Sequence, residues 1–273
     1  MGQNQRVRRQ KGLPVNTAVI TGASSGLGRG FAEFIDASCA QVEEIWLIAR
    51  REERLNEIAS SLVKKTRVFA LDLTQASSIG TIKNALSESN AHVSLFIGAA
   101  GYGKIGSSSS VSDEDTAGMI DLNCKAAVLC TRAVIPYMHA GDRIIEICST
   151  SAFQPLQYLN VYAASKAFIY NYTRALRNEL LPKGIAVTAV CPYWIKDTEF
   201  IGIAQNDGED GRAAGVRSFP LSTTAAKVVK RAMAASGAGF AVCTPDIVSF
   251  FHRIFAKILP RTVMLYIWEL LRR

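Results

Sequence analysis

The sequence lacks most of the residues that reveal a function at first sight. It has three histidines, His92, His139 and His252, at no spacing that suits a metal, so no metal site is expected. Its six cysteines, at 39, 124, 130, 148, 191 and 243, form no CxxC pair, and several stand in apolar runs. They read as buried, reduced thiols of a cytosolic protein. No run of eighteen apolar residues occurs without a charge, so no membrane-spanning helix is expected. The N-terminal MGQNQRVRRQKG has none of the apolar stretch a signal peptide needs, and its Met-Gly start is followed by Arg6 where a myristoylation signal has Ser or Thr.

What is present is bulk and apolarity. The chain has 273 residues, 49% of them hydrophobic, enough to bury a full core in one large domain. The net charge of +8 belongs to the ends. Arg6, Arg8, Arg9 and Lys11 stand in the first twelve residues, and residues 251–273 hold five basic residues against Glu269. The remainder is neutral. That excludes a nucleic-acid groove across the body and leaves the ends as contact surfaces.

Short apolar runs alternate with amphipathic patterns. Strands are expected over Val15–Thr21, Glu43–Ala49, Arg67–Leu71, Ser94–Gly98, Asp142–Cys148, Ile185–Cys191 and, last and short, Gly239–Cys243. Helices are expected from Leu27 to about Ala37, Glu52 to about Lys64, from a cap at Thr74 to about Leu86, from Ser112 to about Met138, from about Asn160 to Leu181, and from Ser222. Ser112-Asp113-Glu114-Asp115 is a capping-box variant. Thr198 to Pro220, rich in glycine and charge, reads as a mobile loop or lid. Such alternation means an α/β fold: a Rossmann-type, doubly wound parallel sheet with helices on both faces. No internal repeat or linker interrupts it. The expected parts are a basic arm over residues 1–13, the sheet domain over 14–244 and a helical tail over 245–273.

TGASSGLG, Thr21 to Gly28, follows the first strand and opens a helix. Gly22, Gly26 and Gly28 let the backbone turn sharply and approach a pyrophosphate at a helix N-terminus. Three glycines alone are a weak signal, but strand–turn–helix is the context a dinucleotide site requires. At the end of the second strand, where a carboxylate would hold ribose hydroxyls, the sequence has Arg50-Arg51. Cations there favour a 2′-phosphate, hence NADP(H), with Arg50 the stronger candidate; pairing with Glu52, Glu53 or solvent is the plain alternative. Asp72, followed by Leu73, either accepts from the adenine amino group or caps the next helix.

Tyr162 and Lys166, in VYAASKAF, lie at i and i+4 on one helix face. A nearby ammonium would lower the phenol pKa and make Tyr162 an acid/base for a carbonyl. YxxxK alone is structurally trivial. Three features add to it. Ser149 follows the fifth strand and can orient a substrate oxygen. Asn123 sits mid-helix, where Asn is unfavourable, and invites a reason such as holding a water near Lys166. After the sixth strand come Pro192, the Ile195 backbone and the Thr198 hydroxyl, placed to meet a nicotinamide carboxamide.

Taken together, TGASSGLG, Asn123, Ser149 and YAASK, in order and spacing over Pro14 to Cys243, resemble the classical short-chain dehydrogenase/reductase family. The resemblance implies a seven-stranded sheet and an Asn123-Ser149-Tyr162-Lys166 tetrad. Tyr162 would be the acid/base and Ser149 would hold the substrate oxygen. Lys166 would bind ribose and tune Tyr162, and Asn123 would support a proton-relay water. It implies cofactor contacts at Gly22, Ser24, Ser25, Gly26, Leu27, Gly28, Arg50, Asp72, Leu73, Ala100, Gly101, Pro192, Ile195 and Thr198, a small-molecule carbonyl or alcohol substrate, and a homodimer or homotetramer. Arg50 resembles NADP-preferring members. Two departures stand out. The family's Asn-Asn-Ala-Gly after strand four is Gly98-Ala99-Ala100-Gly101, which questions local stability and cofactor affinity. Its Pro-Gly after strand six is Pro192-Tyr193, and Tyr193 with Trp194 makes that loop aromatic.

From Ser249 onward, apolar residues such as Phe251, Ile254, Phe255 and Ile258 recur at helical spacing until Pro260 divides the run. The tail can dock on the body, close over substrate, form an oligomer contact or lie on an anionic membrane surface. The expected activity is NADP(H)-linked interconversion of a ketone and a secondary alcohol on a lipophilic substrate, in the cytoplasm with or without peripheral membrane contact. The alternatives are a non-catalytic NADP(H) sensor and a membrane-associated scaffold.

Overall fold

The computed structural model describes residues 14–205 and 221–272; the basic arm, most of the expected lid and Arg273 lie outside the described residues. Seven strands form one parallel sheet: β1 Val15–Thr21, β2 Glu44–Ala49, β3 Lys65–Ala70, β4 Ala91–Gly98, β5 Arg143–Ile147, β6 Ala186–Val190 and β7 Val242–Cys243, in the order β3-β2-β1-β4-β5-β6-β7. The order reverses between β1 and β4. A crevice opens outside the carboxyl ends of the strands at such a point.

Two helical layers cover the sheet, and alternate side chains of each strand feed them. Ala18, Ile20, Ile45 and Leu47 pack toward α1 (Gly26–Ser38), α2 (Glu52–Ser61) and α8 (Ala225–Gly237). Val19, Trp46 and Ile48 pack toward α3 (Ala76–Glu88), α5 (Ala127–Val134) and α6 (Asn160–Leu180). In β4 the alternation slips once. Thr17 pairs with Val93 and Ala18 with Leu95, so Ser94 is skipped as a bulge and the following side chains change face.

Several boundaries differ from the sequence reading, each for a local reason. Helix α2 stops at Ser61, and β3 begins at Lys65, because the Asp36 carboxylate accepts from the amides of Val63 and Lys64 and holds the chain extended. Thr74 does not cap α3. Its amide and hydroxyl donate to Asp72 Oδ1, closing a turn, and Gln75 occupies the N-cap. Likewise Ser222 does not start α8. Thr224 is its N-cap, and Asp197 accepts from Ala225 N across the loop after β6. Of the expected lid, residues Phe200–Ala204 form a short helix, α7.

The long helix begins as expected, with Ser112 Oγ accepting from Asp115 N at the start of α4 (Asp113–Ile120). It then widens into a π segment, Asp121–Ala126, before α5. After β7 the tail forms α9 (Ile247–Ile258) and α10 (Arg261–Leu271), divided at Pro260. Asp246 and Ser249 make a reciprocal capping box at α9, and Asp246 Oδ2 also accepts from Tyr193 N, tying the tail to the loop after β6. Among the described residues no helix is long and apolar enough to cross a membrane.

Candidate active site

A cavity of about 1470 Å³ runs along the carboxyl edge of the sheet, from the glycine loop to the tail. At one end the chain backs closely on itself. Gly22 (φ +69) and Gly26 (φ +50) are in the left-handed region, and a Cβ on Gly28 would lie 2.2 Å from Gly22 O. Ser24, Ser25 and Leu27 line the cavity beside them. Thr21 Oγ1 accepts from the amides of Ala99 and Ala100 at 3.1 and 3.2 Å. The hydroxyl thus ties the ends of β1 and β4 together where the chain lacks asparagines.

The two arginines divide the work. Arg51 donates to Ser24 Oγ and, at 2.8 Å, to Ser25 Oγ, and pairs with Glu199 Oε2 at 2.8 Å. Arg54 pairs with the same carboxylate. Arg50 faces Asp72 and Tyr102 across the cavity edge and acts on both electrostatically. Burial pushes the Asp72 carboxyl up, but the Thr74 hydrogen bonds and the Arg50 charge outweigh it and hold it below its ordinary value. Asp72 does not cap α3, whose N-cap is Gln75; its side chain closes the Thr74 turn instead, while Leu73 is buried behind it. Ala100, Gly101, Pro192, Ile195 and Thr198 all line the same cavity.

At mid-groove Ser149, Tyr162 and Lys166 converge, with Asn123 buried behind them. Lys166 and Tyr162, on successive turns of α6, are both buried. Lys166 Nζ donates to Ile147 O at 2.9 Å and lies 5.8 Å from the Tyr162 ring centroid. Ser149 lines the cavity beside Tyr162, and its Oγ accepts from Ser151 N at 3.1 Å. Burial raises the Tyr162 phenol well above its ordinary value, and the neighbouring Ser149 hydroxyl opposes that without reversing it. The expectation that Lys166 lowers this phenol is not met for the protein alone: burial sets the direction of the phenol, and burial also lowers the Lys166 pKa.

Asn123 has its reason for standing mid-helix. In the π segment its Oδ1 accepts from Tyr102 N at 3.0 Å, and its Nδ2 donates to Tyr102 O at 2.8 Å and Ser165 Oγ at 3.0 Å. It locks the loop after β4 against α6. Gly101 is required beside it, since a Cβ there would lie 2.8 Å from Asn123 Oδ1.

Beyond Tyr162 the cavity becomes apolar. Phe200 lies tilted at 5.3 Å from the Tyr162 ring, with Trp194 behind it at 6.3 Å. Helix α10 supplies Met264 and Trp268, both buried. Trp268 Nε1 donates to Gln157 O, and the Arg272 guanidinium lies 4.4 Å over the Tyr158 ring. These contacts clamp residues 156–159, where Tyr158 has φ +63, just before α6. On α9, His252 faces the cavity, held neutral by burial that lowers it to about 4.

Residues 16–207 match the family described as short chain dehydrogenase. The chain belongs to that family. As a short-chain dehydrogenase it is an oxidoreductase. It is 36% identical to sulfoacetaldehyde reductase 2 of Chromohalobacter salexigens over 191 residues, covering 67% of this chain and 73% of that protein. It is 31% identical over 201 residues to the NADP-dependent 3-hydroxy acid dehydrogenase of Escherichia coli K12, covering 71% and 78%. A short-chain dehydrogenase from Sphingobium yanoikuyae, solved in complex with NADPH, superimposes with a TM-score of 0.74 at 25% identity, over 91% of this chain and 94% of that one.

In this short-chain dehydrogenase the sequence motifs located the glycine turn and singled out Ser149, Tyr162 and Lys166, which line one cavity. They did not reveal the Arg51–Glu199–Arg54 cluster, although Arg51 and Arg54 stand one helical turn apart and face one carboxylate. Nor did they place Trp268 and Tyr158 against the site, since no spacing links residues that far apart.

Proposed function

We propose that this short-chain dehydrogenase interconverts a lipophilic ketone and its secondary alcohol with NADP(H). The observation that carries this reading is that Tyr162, Ser149 and Lys166 line one cavity whose far wall is Phe200, Met264 and Trp268.

The residues fit the dinucleotide. Gly22, Gly26 and Gly28 leave backbone without side chains beside the first turn of α1, where a pyrophosphate is favoured. Arg51, with Arg50, supplies cations for a 2′-phosphate, and Lys166 supplies an ammonium for ribose hydroxyls. When bound, the nicotinamide supplies or accepts hydride. Ser149 orients the substrate oxygen toward Tyr162. The raised Tyr162 pKa keeps its proton in place until a carbonyl oxygen gains negative charge; the phenol then donates it, and recovers it in the reverse direction. The apolar wall excludes water and selects bulk. The NADP preference draws support from the arginines and from the relative and the solved structure whose names carry NADP or NADPH.

The test is oxidation of NADPH, with NADH as control, against a panel of steroids, acyl ketones, quinones and sugars. Turnover of apolar ketones that Tyr162→Phe abolishes, with NADPH binding retained, is the expected result. Turnover that survives Tyr162→Phe would overturn the reading.

A further inference from the structure

Directly behind the tetrad lies an ionisable group that this chemistry does not use. Glu146 stands on β5, three residues before Ser149, and is 1% exposed. Its strand partner on β4 is Gly98. The carboxyl lies over that glycine so closely that a Cβ on residue 98 would sit 2.0 Å from Oε2 and 2.6 Å from Cδ. Glycine is required there for space, and the space is filled by the glutamate.

The other oxygen settles the proton count. Glu146 Oε1 is 2.5 Å from Thr131 Oγ1, and Thr131 Oγ1 is 2.8 Å from Ala127 O. Thr131 has one hydroxyl proton, while a carbonyl and a carboxylate can only accept. Both contacts are hydrogen bonds when Glu146 is protonated and donates to Thr131, which in turn donates to Ala127 O. Burial acts in the same direction: it raises the carboxyl to about 8 even with the Lys166 charge nearby and with Thr131 taken as donating to the carboxylate, both of which lower it. The titratable groups facing it are Cys130 from α5 and Tyr172 and Lys166 from α6. Burial pushes Cys130 and Tyr172 each up to about 12, so both are neutral. The neighbouring strands face it with Gly98 and Ala189, which do not titrate.

We propose that Glu146 is a positioning residue: a neutral carboxylic acid, lodged over Gly98 and bonded to Thr131, that fixes the end of β5 beneath Lys166. Lys166 Nζ is held by the carbonyl of Ile147, the very next residue, so displacing Glu146 displaces the ammonium's anchor. Ionising Glu146 removes its donation to Thr131 and places a negative charge under Lys166, which draws the ammonium away from the groove. Activity then has an alkaline limb set by a group that touches neither substrate nor cofactor.

Glu146→Gln keeps the shape and the donor but cannot ionise. The folded wild type retains this proton between 4.5, the ordinary carboxyl value, and about 8, a window in which the unfolded chain has lost it. Its stability therefore falls as pH rises through that window and levels off above it. The Gln variant is expected to lose that slope in thermal unfolding. It is also expected to lose the infrared carbonyl band of a protonated carboxylic acid that the wild type shows near neutrality. Where a ketone is turned over, kcat/KM of the variant should stay within about threefold of wild type near pH 6 and lack the inflection near pH 8. Superimposable stability–pH curves, or no such band in the wild type, overturn the proposal whether or not any ketone is reduced, so its failure is separate from failure of the proposed activity. The wild-type band needs no variant. A Gly98→Ala chain as stable as wild type would also sink it, because that Cβ and the carboxyl cannot share the space.

Discussion

At its glycine-turn end the groove is made of backbone and of residues adjacent in sequence: Gly22, Gly26 and Gly28 in one turn, with Arg51 donating into the same turn. At its apolar end Phe200, Tyr158 and Trp268 come from α7, the loop before α6 and the final helix, and they pack into one apolar cluster. The first end depends on geometry that tolerates no added atom. The second depends on volume and apolar surface. A binding motif shared across a family can occupy only the first kind of place, while the second is free to differ between relatives.

The comparison can be broken at its joint or sharpened at either end. At the joint, Tyr162→Phe should lower kcat/KM by roughly a thousandfold, with NADPH affinity by fluorescence titration unchanged within about twofold. At the apolar end, Trp268→Ala removes a buried ring and its bond to Gln157. A stability loss of about 3 kcal/mol by denaturant titration is expected. KM for bulky ketones should rise while that for small ones holds. His252 gives the same end a pH signature. Its folded value is lowered to about 4 from 6.5, so the unfolded chain binds the extra proton first and stability falls as pH drops through that window. About 1.4 kcal/mol per unit gives a loss of ~3 kcal/mol, which His252→Gln should flatten in acid unfolding curves. At the glycine-turn end, Arg51→Ala should weaken NADPH about tenfold and leave NADH within about twofold. Arg50→Ala should produce the smaller loss.

Much of the sheet was legible because buried parallel strands carry continuous Val, Ile and Leu runs, and Gly22 to Gly28 announce the turn between β1 and α1. The tetrad was legible as spacing, Tyr162 to Lys166 along one helix and Ser149 after a strand. Element ends were less so. Asp36 arresting α2, and Asp197 capping α8, act across long stretches of chain and leave no local pattern. Asn123 was correctly singled out as odd in a helix, but its bonds to Tyr102 and Ser165 needed the π segment to be seen. The acid-base balance of Tyr162 was misread because spacing shows a neighbouring Lys and not the depth of burial. Glu146 gave no sequence signal; a charged residue within a strand suggests an exposed edge, and only Gly98 opposite it explains why it can be inside.

The tail has a practical consequence. Helices α9 and α10 follow β7 and add no strand, so their side chains can be changed without touching sheet register or the glycine turn. They nonetheless supply one wall of the cavity through Phe255, Met264 and Trp268. A library confined to residues 247–271 would therefore alter selectivity separately from chemistry, and a fusion or cut at the C-terminus would act as a change of substrate range before it acted as a loss of catalysis.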